Sequence, residues 1–286
     1  VSTGYKVPTA NDLHDGINGF TAQGKSVSLG NPDLKPEKTT NYEIGFVYDD
    51  LTNFSLTTTA FFTEFKDLII SGAKTYENCL WESRPTGSTP ASDCMTVGNF
   101  SYQENFSFQG NADEAESYGV ELSAKYDISP NFNVKANYTW LESEITKGEN
   151  KGQTIENTPR HAVNLTSTWY VNDQFTTWLE AEYKSKRTRF TDPTANTDTI
   201  REAEITGNEL KAYELFNLGA SYKVNNQITL SGRINNLFDK DFGDYQTFTN
   251  TKGETVNAFL YTKTTSGLAG TYIPDRNYWL SISYDF

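Results

Sequence analysis

The C-terminal segment of the chain alternates between apolar and polar residues. The last eleven residues, from Arg276 to Phe286, read RNYWLSISYDF. Counting back from the terminal phenylalanine, every second residue is aromatic or aliphatic: Tyr284, Ile282, Leu280 and Tyr278. Alternation with a period of two places one row of side chains on each face of a β-strand. The segment is therefore predicted to be a strand, either with one face toward lipid or at the edge of a soluble β-protein.

The same alternation recurs through the chain and predicts an all-β protein. A helical period fits none of these segments as well. With a strand end at Val1–Val7 and the terminal strand, the pattern predicts ten strands. The other apolar rows run over 42–48, 54–62, 118–128, 132–140, 163–171, 175–183, 216–224 and 228–234.

The predicted connections alternate between short and long. Tight turns rich in turn-forming residues fall at 49–52, 129–131, 172–174 and 225–227. Long polar loops fall at 9–40, 67–114, 147–160, 191–209 and 243–275. Transmembrane barrels have short turns on the periplasmic side and long loops outside. The pattern therefore predicts an antiparallel transmembrane β-barrel with short periplasmic turns and long extracellular loops.

Composition agrees with a barrel and excludes other classes. Aromatic residues make up 14% of the 286 residues, yet the mean hydropathy is −0.62, as expected when only half of each strand faces lipid. No segment approaches the run of about 20 apolar residues that a spanning helix needs. The net charge of −13 argues against a nucleic-acid partner. No nucleophile elbow, phosphate loop or zinc-protease motif appears, so an enzyme is not expected.

Four landmarks resemble those of TonB-dependent outer-membrane receptors. GYKVPTA at 4–10 resembles the family's segment before the first long loop, and GNPDLKPEKTTNYEIG at 30–45 resembles its NPDLKPE signature. NNLFDKDF at 235–242 resembles the motif of the penultimate strand, and Phe286 resembles the family's terminal aromatic residue. All four occur in the family order.

The resemblance implies a plugged barrel of roughly 22 strands in the Gram-negative outer membrane. Ten strands cannot enclose a plug, so residues 1–286 are expected to be the C-terminal part of the barrel domain, with the plug and the N-terminal strands absent from this chain. The motifs look most like those of ferric catecholate siderophore receptors of the ferric-enterobactin and colicin-I-receptor type.

The resemblance also implies the ligand and the partners. The ligand is expected to be an iron–siderophore complex, and no covalently bound cofactor or metal is expected. The TonB–ExbB–ExbD complex would act through the missing plug and TonB box. Outer-membrane lipid, lipopolysaccharide, and colicins or phage are further expected partners. An outer-membrane barrel enzyme or an adhesin is a less favoured alternative, because neither needs these landmarks.

The densest cationic cluster is predicted to lie at the outer end of the strand that starts near Phe175. It consists of Lys184, Lys186, Arg187 and Arg189. Strand parity puts the two lysines in the lumen and the two arginines outside, unless a bulge resets the register. Cationic side chains suit an anionic chelate, so Lys186, or Arg187 with a bulge, is expected to contact the ligand. The alternative is an outer rim that faces lipopolysaccharide phosphates.

Aromatic residues populate the loop before the last strand. Tyr245, Tyr261 and Tyr272 are candidate ligand contacts that could stack on catechol rings. The alternative is that they fold the loop over the barrel mouth, since a long loop needs apolar anchors of its own.

The cysteines and histidines complete the candidates. Cys79 and Cys94 fall in one predicted outside loop and are expected to form a disulfide in an oxidising compartment. This bridge would stabilise the protein by roughly 3 kcal/mol. His14 lies where haem-uptake receptors of the family place an axial ligand, which supports haem uptake as the alternative function. A solvated loop histidine is the other interpretation.

Overall fold

The computed structural model describes residues 1–13, 17–18, 28–99, 101, 104–148, 150–190, 197–262 and 273–285. His14, Tyr272 and Phe286 lie outside the described residues. The strands are β1 (Ser2–Lys6), β2 (Ile17–Asn18), β3 (Ser28–Leu29), β4 (Glu37–Asp49), β5 (Phe54–Glu77), β6 (Asn105–Ser129), β7 (Phe132–Lys147), β8 (His161–Tyr170), β9 (Phe175–Lys184), β10 (Arg187–Thr188), β11 (Glu209–Leu210), β12 (Tyr213–Lys223), β13 (Ile228–Asn235), β14 (Tyr245–Thr249), β15 (Thr255–Phe259) and β16 (Asn277–Tyr284). The helices are α1 (Ala10–Leu13) and α2 (Thr197–Thr206). No helix among these residues is long and apolar enough to cross a bilayer.

One sheet carries the ten predicted strands in the order β1-β4-β5-β6-β7-β8-β9-β12-β13-β16. From β7 onward each pair of neighbours is antiparallel. The chain divides into two compact units: the first contains Val1–Tyr42, Thr63–Glu116 and Glu144–Gly152, and the second contains the remaining residues. The sheet has twelve strands, because β2 and β3 also belong to it and β3 pairs with β6 in parallel. The ten predicted strands of a mainly antiparallel sheet are confirmed, whereas the short strands β2, β3, β10, β11, β14 and β15 were not predicted.

The predicted apolar rows lie in register on one face of the second unit. Tyr222 pairs with Leu230, which pairs with Ile282 on the next strand. On β16 these side chains are largely uncovered, since Leu280 is 85% exposed and Ile282 is 75% exposed, and Tyr222 and Leu230 are 43% and 40% exposed. Among the described residues, the rows therefore do not pack against a second sheet, which favours strands with one face toward lipid over the edge of a soluble β-protein.

The opposite face of the same strands carries a polar network. Arg233 on β13 pairs with Glu180 on β9 at 2.5 Å, and its Nε donates to Asn235 at 2.6 Å. Asn235 in turn donates to Asn277 on β16 at 2.8 Å. One face is thus apolar and the other is hydrogen-bonded, as a strand between lipid and a hydrated lumen requires.

The tight turns are held by side chains that accept backbone hydrogen bonds. Asp50 accepts from the amides of Thr52, Asn53 and Phe54 at 2.8–3.0 Å. The N–H donors of Phe54 and Thr52 lower the pKa of Asp50 from 3.8 to about 2. Asn172 and Asn225 each accept from the backbone amides two and three residues later. These are Asx turns, and they confirm the predicted short connections.

The predicted bounds of the loop at 67–114 are wrong. β5 has 24 residues and β6 has 25, whereas a bilayer needs only about 9–11 residues per tilted strand. Only residues 78–104 connect these two strands. Beyond the bilayer a strand needs no apolar row, because its ladder of backbone hydrogen bonds continues without one. The periodicity therefore ends before the strand does.

The NPDLKPE motif is anchored within the first unit. Leu34 is buried. Asn111 on β6 accepts from the Lys35 amide at 2.7 Å and donates to the Lys35 carbonyl at 2.8 Å. Glu37 accepts from the Ile69 amide at 3.0 Å and from the ammonium of Lys6. These contacts fix the entry of the chain into β4, in agreement with a structural role for the motif.

The NNLFDKDF motif forms a turn at the end of β13. Asn236 has a positive φ of 52° and is buried, and its side chain bonds to the Lys240 amide and to the Pro274 carbonyl. Asp239 accepts from the backbone and the guanidinium of Arg276 at 2.9 and 3.0 Å. These donors lower the pKa of Asp239. The motif thereby fixes the start of the last strand.

Candidate functional site

The cationic cluster lies where the β9–β12 ladder is interrupted. The ladder ends at the pair Lys184–Tyr213 and resumes at Arg187–Leu210. Two residues separate these pairs on each strand, so the interruption is not a one-residue bulge. At the break, the Ser185 hydroxyl accepts from the His161 amide at 3.0 Å. Because both strands skip the same number of residues, the register of the pairing is the same on the two sides of the break.

Tyr213 contacts two of the cationic side chains. Its side chain is almost completely buried, with 5% exposed, and its hydroxyl donates to Glu182 at 2.9 Å. The ammonium of Lys184 lies 5.8 Å from the centre of the Tyr213 ring, and the guanidinium of Arg187 lies 5.6 Å from it. Lys184 also pairs with Glu182 at 2.9 Å. One ring therefore contacts two positive charges, which is a cation–π arrangement.

Arg187 is half-buried and is held by neutral groups. Its guanidinium donates to the Asn157 side chain at 3.0 Å and to the Tyr261 carbonyl at 3.2 Å. Across the described residues, no carboxylate lies within ion-pair distance of it. Burial lowers the pKa of Arg187 but leaves the group charged at neutral pH, because an arginine pKa starts far above it. Glu182 acts on this guanidinium electrostatically but is paired with Lys184. A guanidinium that has no carboxylate in direct contact is a good contact for an anion.

Lys186 is directed to a different environment. Its ammonium pairs with Glu209 at 2.5 Å, and both side chains are largely exposed. Lys186 and Arg187 border a cavity of about 700 Å³ that is lined by four cations and two carboxylates. The other charged lining residues are Arg160, Lys211, Glu142 and Glu209. The cavity thus carries an excess of positive charge in a chain whose net charge is −13.

Arg189 is completely buried, so the prediction that both arginines face outward is wrong. Its guanidinium pairs with Glu202 on α2 at 2.7 Å, and the two side chains are 0% and 2% exposed. It also donates to the carbonyl of Phe259. We call residues 187–190, 197–210 and 245–262, which contain β10, α2, β11 and the hairpin β14–β15, the loop module. The physical reason for the error is that the chain leaves the β9 ladder and folds into this module.

The aromatic candidates contact other loop residues. Tyr261 packs edge-on against Phe242, which packs edge-on against Tyr213. The ammonium of Lys240 lies 5.1 Å from the Tyr261 ring. Tyr245 is half-exposed and packs against Phe259. Tyr261 is therefore brought into the Tyr213 cluster, whereas Tyr245 lies on the hairpin.

The predicted disulfide is confirmed. Cys79 and Cys94 are bonded, with 5.1 Å between their Cα atoms. Arg84, within the closed loop, pairs with Glu77 and lies 5.8 Å from the Trp81 ring. The bridge belongs to the first unit and does not contribute to the Tyr213 cluster. His161, the histidine within the described residues, is hydrogen-bonded to Tyr138 at 2.9 Å.

Sequence reasoning missed Glu182, Tyr213, Asn157 and Glu202. Glu180, Glu182 and Lys184 recur with a period of two on β9, which is a local signal for one polar face. Tyr213 could have been assigned to that face only with the register of β12. Asn157 and Glu202 lie in predicted loops, and no local pattern links them to the arginines.

Comparison with known proteins assigns the family. Residues 1–237 match the family model described as TonB dependent receptor-like, beta-barrel. The chain belongs to the TonB-dependent receptor family. The match confirms the predicted resemblance to TonB-dependent receptors and the predicted location in the outer membrane of Gram-negative bacteria. TonB-dependent receptors are transporters and not enzymes.

Two curated relatives and one solved structure show how far the similarity to TonB-dependent receptors extends. The iron-regulated outer membrane virulence protein of Vibrio cholerae is 27% identical over 241 residues, covering 84% of this chain and 33% of that protein. Vitamin B12 transporter BtuB of Photobacterium profundum is 30% identical over 247 residues, covering 86% and 32%. The siderophore receptor PirA from Acinetobacter baumannii has a TM-score of 0.65 and 22% identity, covering 99% of this chain and 38% of that chain. The chain spans about a third of the length of these curated relatives.

Proposed function

We propose that this chain is part of an outer-membrane receptor that binds and imports a ferric siderophore of the catecholate type. In this proposal residues 1–286 supply the C-terminal strands of the plugged barrel. The TonB–ExbB–ExbD complex provides the energy through segments outside these residues. The cationic cluster around Tyr213 binds the chelate.

The observation that carries the proposal is the pairing of two cations with one aromatic ring. Lys184 and Arg187 both contact Tyr213, and the Arg187 guanidinium is hydrogen-bonded only to neutral groups among the described residues. A tris-catecholate complex of iron is flat-sided, aromatic and anionic. Arginine recognises such a ligand by charge and by stacking. Arg187 is therefore favoured over Lys186 as the ligand contact.

The relatives support an iron-related ligand and also define the main competitor. PirA is named as a siderophore receptor and the Vibrio cholerae protein as iron-regulated. BtuB is named as a vitamin B12 transporter and has the higher identity to this chain, so cobalamin is the second candidate. Haem remains the alternative that His14 suggests.

A growth and uptake assay tests the proposal. A strain that lacks the gene is supplied with iron as ferric enterobactin, as a ferric hydroxamate or as hemin, and its uptake of cobalamin is measured separately. We expect the gene to restore growth on the catecholate alone. Restoration by hemin or cobalamin and not by the catecholate would contradict the proposal. Soret absorbance on mixing with hemin, lost in His14→Ala, would favour haem.

The ligand contact is tested by substitution at the cluster. Arg187→Ala should raise the half-saturating concentration of ferric enterobactin by about tenfold, because a charge-assisted contact of a half-buried guanidinium is lost. Alanine at both Lys186 and Arg187 with unchanged affinity and uptake would remove this cluster from the proposal.

A further inference from the structure

Arg189 and Glu202 form an ion pair that is closed off from solvent. Their side chains are 0% and 2% exposed, and the two charged atoms are 2.7 Å apart. Moving two charges out of water is unfavourable unless hydrogen bonds satisfy both groups. A pair of this kind is weak evidence for stability alone. A buried ion pair is better explained by a requirement for the geometry that it imposes on the residues around it.

The arginines at 187 and 189 together hold one short stretch of the last long loop. Arg189 donates to the carbonyl of Phe259 and faces the carbonyl of Thr262 at 3.5 Å. Arg187 donates to the carbonyl of Tyr261, which lies between them in sequence. The side chains thus attach Phe259–Thr262 to the segment that follows β9, in addition to the backbone bonds of Leu260 with Lys211 and Asp244.

Glu202 connects the same arginine to helix α2. The helix is also tied to the β14–β15 hairpin, because Asp198 accepts from the Thr251 amide at 2.6 Å and Arg201 donates to the Thr249 carbonyl at 3.1 Å. Asn208, which follows helix α2, accepts a hydrogen bond from the Phe190 amide and donates one to the Phe190 carbonyl. Two loops that are distant in sequence therefore meet at Arg189.

The stretch that Arg189 holds carries one of the candidate ligand contacts. The Tyr261 ring packs on Phe242 and is contacted by the Lys240 ammonium, while the Tyr261 carbonyl accepts from Arg187. A shift of this stretch would move the ring and would release one of the groups that orient Arg187. The position of the stretch and the geometry of the cluster are therefore linked.

We infer that Arg189 and Glu202 are positioning residues that hold Phe259–Thr262 so that Tyr261 and Arg187 form one wall of the ligand site. The inference rests on the proposed function, since it assigns a role within that site. It removes Arg189 from the residues that touch the ligand. It also gives the buried pair a function that a hydrophobic replacement of equal volume cannot supply.

The test uses the double variant Arg189→Met with Glu202→Leu in the native outer membrane. Both charges are removed together, so no unpaired charge is left in the core, while the donors to Phe259 and Thr262 are lost. Uptake of radiolabelled ferric enterobactin is normalised to the amount of receptor at the surface. We expect the half-saturating concentration to rise about tenfold with maximal uptake within about twofold, as when ground-state binding alone is lost. An unchanged half-saturating concentration would overturn the inference.

Two further variants separate positioning from general stability. Lys147→Met with Glu114→Leu removes an ion pair outside the loop module and should leave the half-saturating concentration unchanged. If Arg189 acts through Tyr261, its effect in a Tyr261→Ala background should be much smaller than in the wild type. Additive effects would contradict the inference. If the double variant fails to reach the surface, Glu202→Gln replaces it, because glutamine keeps the shape of the glutamate side chain. This variant should raise the half-saturating concentration by less than the double variant. An unchanged half-saturating concentration would contradict the positioning role.

A ligand-independent readout distinguishes this inference from the proposed function. If the wild type takes up no ferric enterobactin, the proposed function fails. Hydrogen exchange then tests separately whether Arg189 holds the stretch Phe259–Thr262 in place. The amides of 259–262 should exchange faster in the double variant, while those of β16 should be unaffected. Equal exchange of 259–262 in the variant and the wild type would show that Arg189 does not hold the stretch.

Discussion

The strands of the second unit and the loop module are stabilised in opposite ways. On β13 and β16 the apolar side chains point away from the rest of the protein, and Leu280 and Ile282 remain largely exposed. In the loop module Leu210, Ala258 and Leu260 are buried, together with the ion pair of Arg189 and Glu202. The strands therefore depend on the surrounding bilayer, whereas the module has a core like that of a water-soluble protein. An ion pair is accommodated in the core of the module, whereas a charge on the apolar face of the strands is expected to be unfavourable.

The largest expected effect comes from breaking the buried pair in the loop module. Glu202→Ala leaves the Arg189 guanidinium in the core without its carboxylate, which typically costs about 3–5 kcal/mol. Hydrogen exchange of the β15 amides measures the local unfolding of the module. Glu209→Ala is the control, because it removes the exposed partner of Lys186 and should cost about 0–1 kcal/mol. Equal effects of the two substitutions would show that the module has no core of its own.

A charge on the apolar face of the strands should have the next largest effect. Leu280→Arg places a guanidinium toward hydrocarbon, with an expected cost of about 2–4 kcal/mol near the middle of the bilayer. The free energy of unfolding from lipid vesicles measures it. Ser281→Arg, one residue later and on the opposite face, is the matched control and should change stability little. A larger effect at Ser281 than at Leu280 would reverse the assignment of the faces.

Tyr213 lies where the two regions meet and should show an intermediate effect. Tyr213→Phe keeps the ring that contacts Lys184 and Arg187 but removes the hydrogen bond to Glu182. The expected loss of stability is about 0.5–1.5 kcal/mol, measured by denaturant unfolding. Tyr183→Phe, on the neighbouring strand, has no such bond among the described contacts and should be nearly neutral.

The smallest effect concerns the turn between β4 and β5. The folded pKa of Asp50 is about 2, below its ordinary value of 3.8. A carboxyl with a lowered pKa stabilises the fold above its unfolded pKa, and the contribution is lost as the pH falls through the folded value. The turn should therefore weaken between about pH 4 and pH 2. Asp50→Asn cannot titrate, so a variant with the same loss of stability over this range would contradict the assignment.

The strand region was predictable from sequence because its information is local. A period of two identifies each strand from its own residues, and the Asx residues of the turns identify where it ends. The ends of β5 and β6 were missed, since beyond the bilayer the polar residues carry no period. The ten long strands required no knowledge of contacts between distant residues, whereas the short strands β2, β3, β10, β11, β14 and β15 lie in predicted loops and were missed.

The loop module was not predictable for the opposite reason. Arg189 reaches the Phe259 carbonyl across 70 residues of sequence, and Glu202 lies on a helix inside a predicted loop. The run KSKRTR indicates a cationic cluster but not that its last arginine is buried. Cys79 and Cys94 could be paired from sequence, because two cysteines in an oxidising compartment leave one possible partner each.

The central claim is that one face of each strand contacts hydrocarbon and the other a hydrated lumen. Single cysteines at 279, 280, 281 and 282, labelled with a fluorophore in protein reconstituted with lipids that carry quenchers in their acyl chains, test it most directly. The native cysteines do not interfere, since they are bonded to each other. We predict strong quenching at 280 and 282 and weak quenching at 279 and 281. Uniform quenching, or quenching with the opposite alternation, would contradict the account.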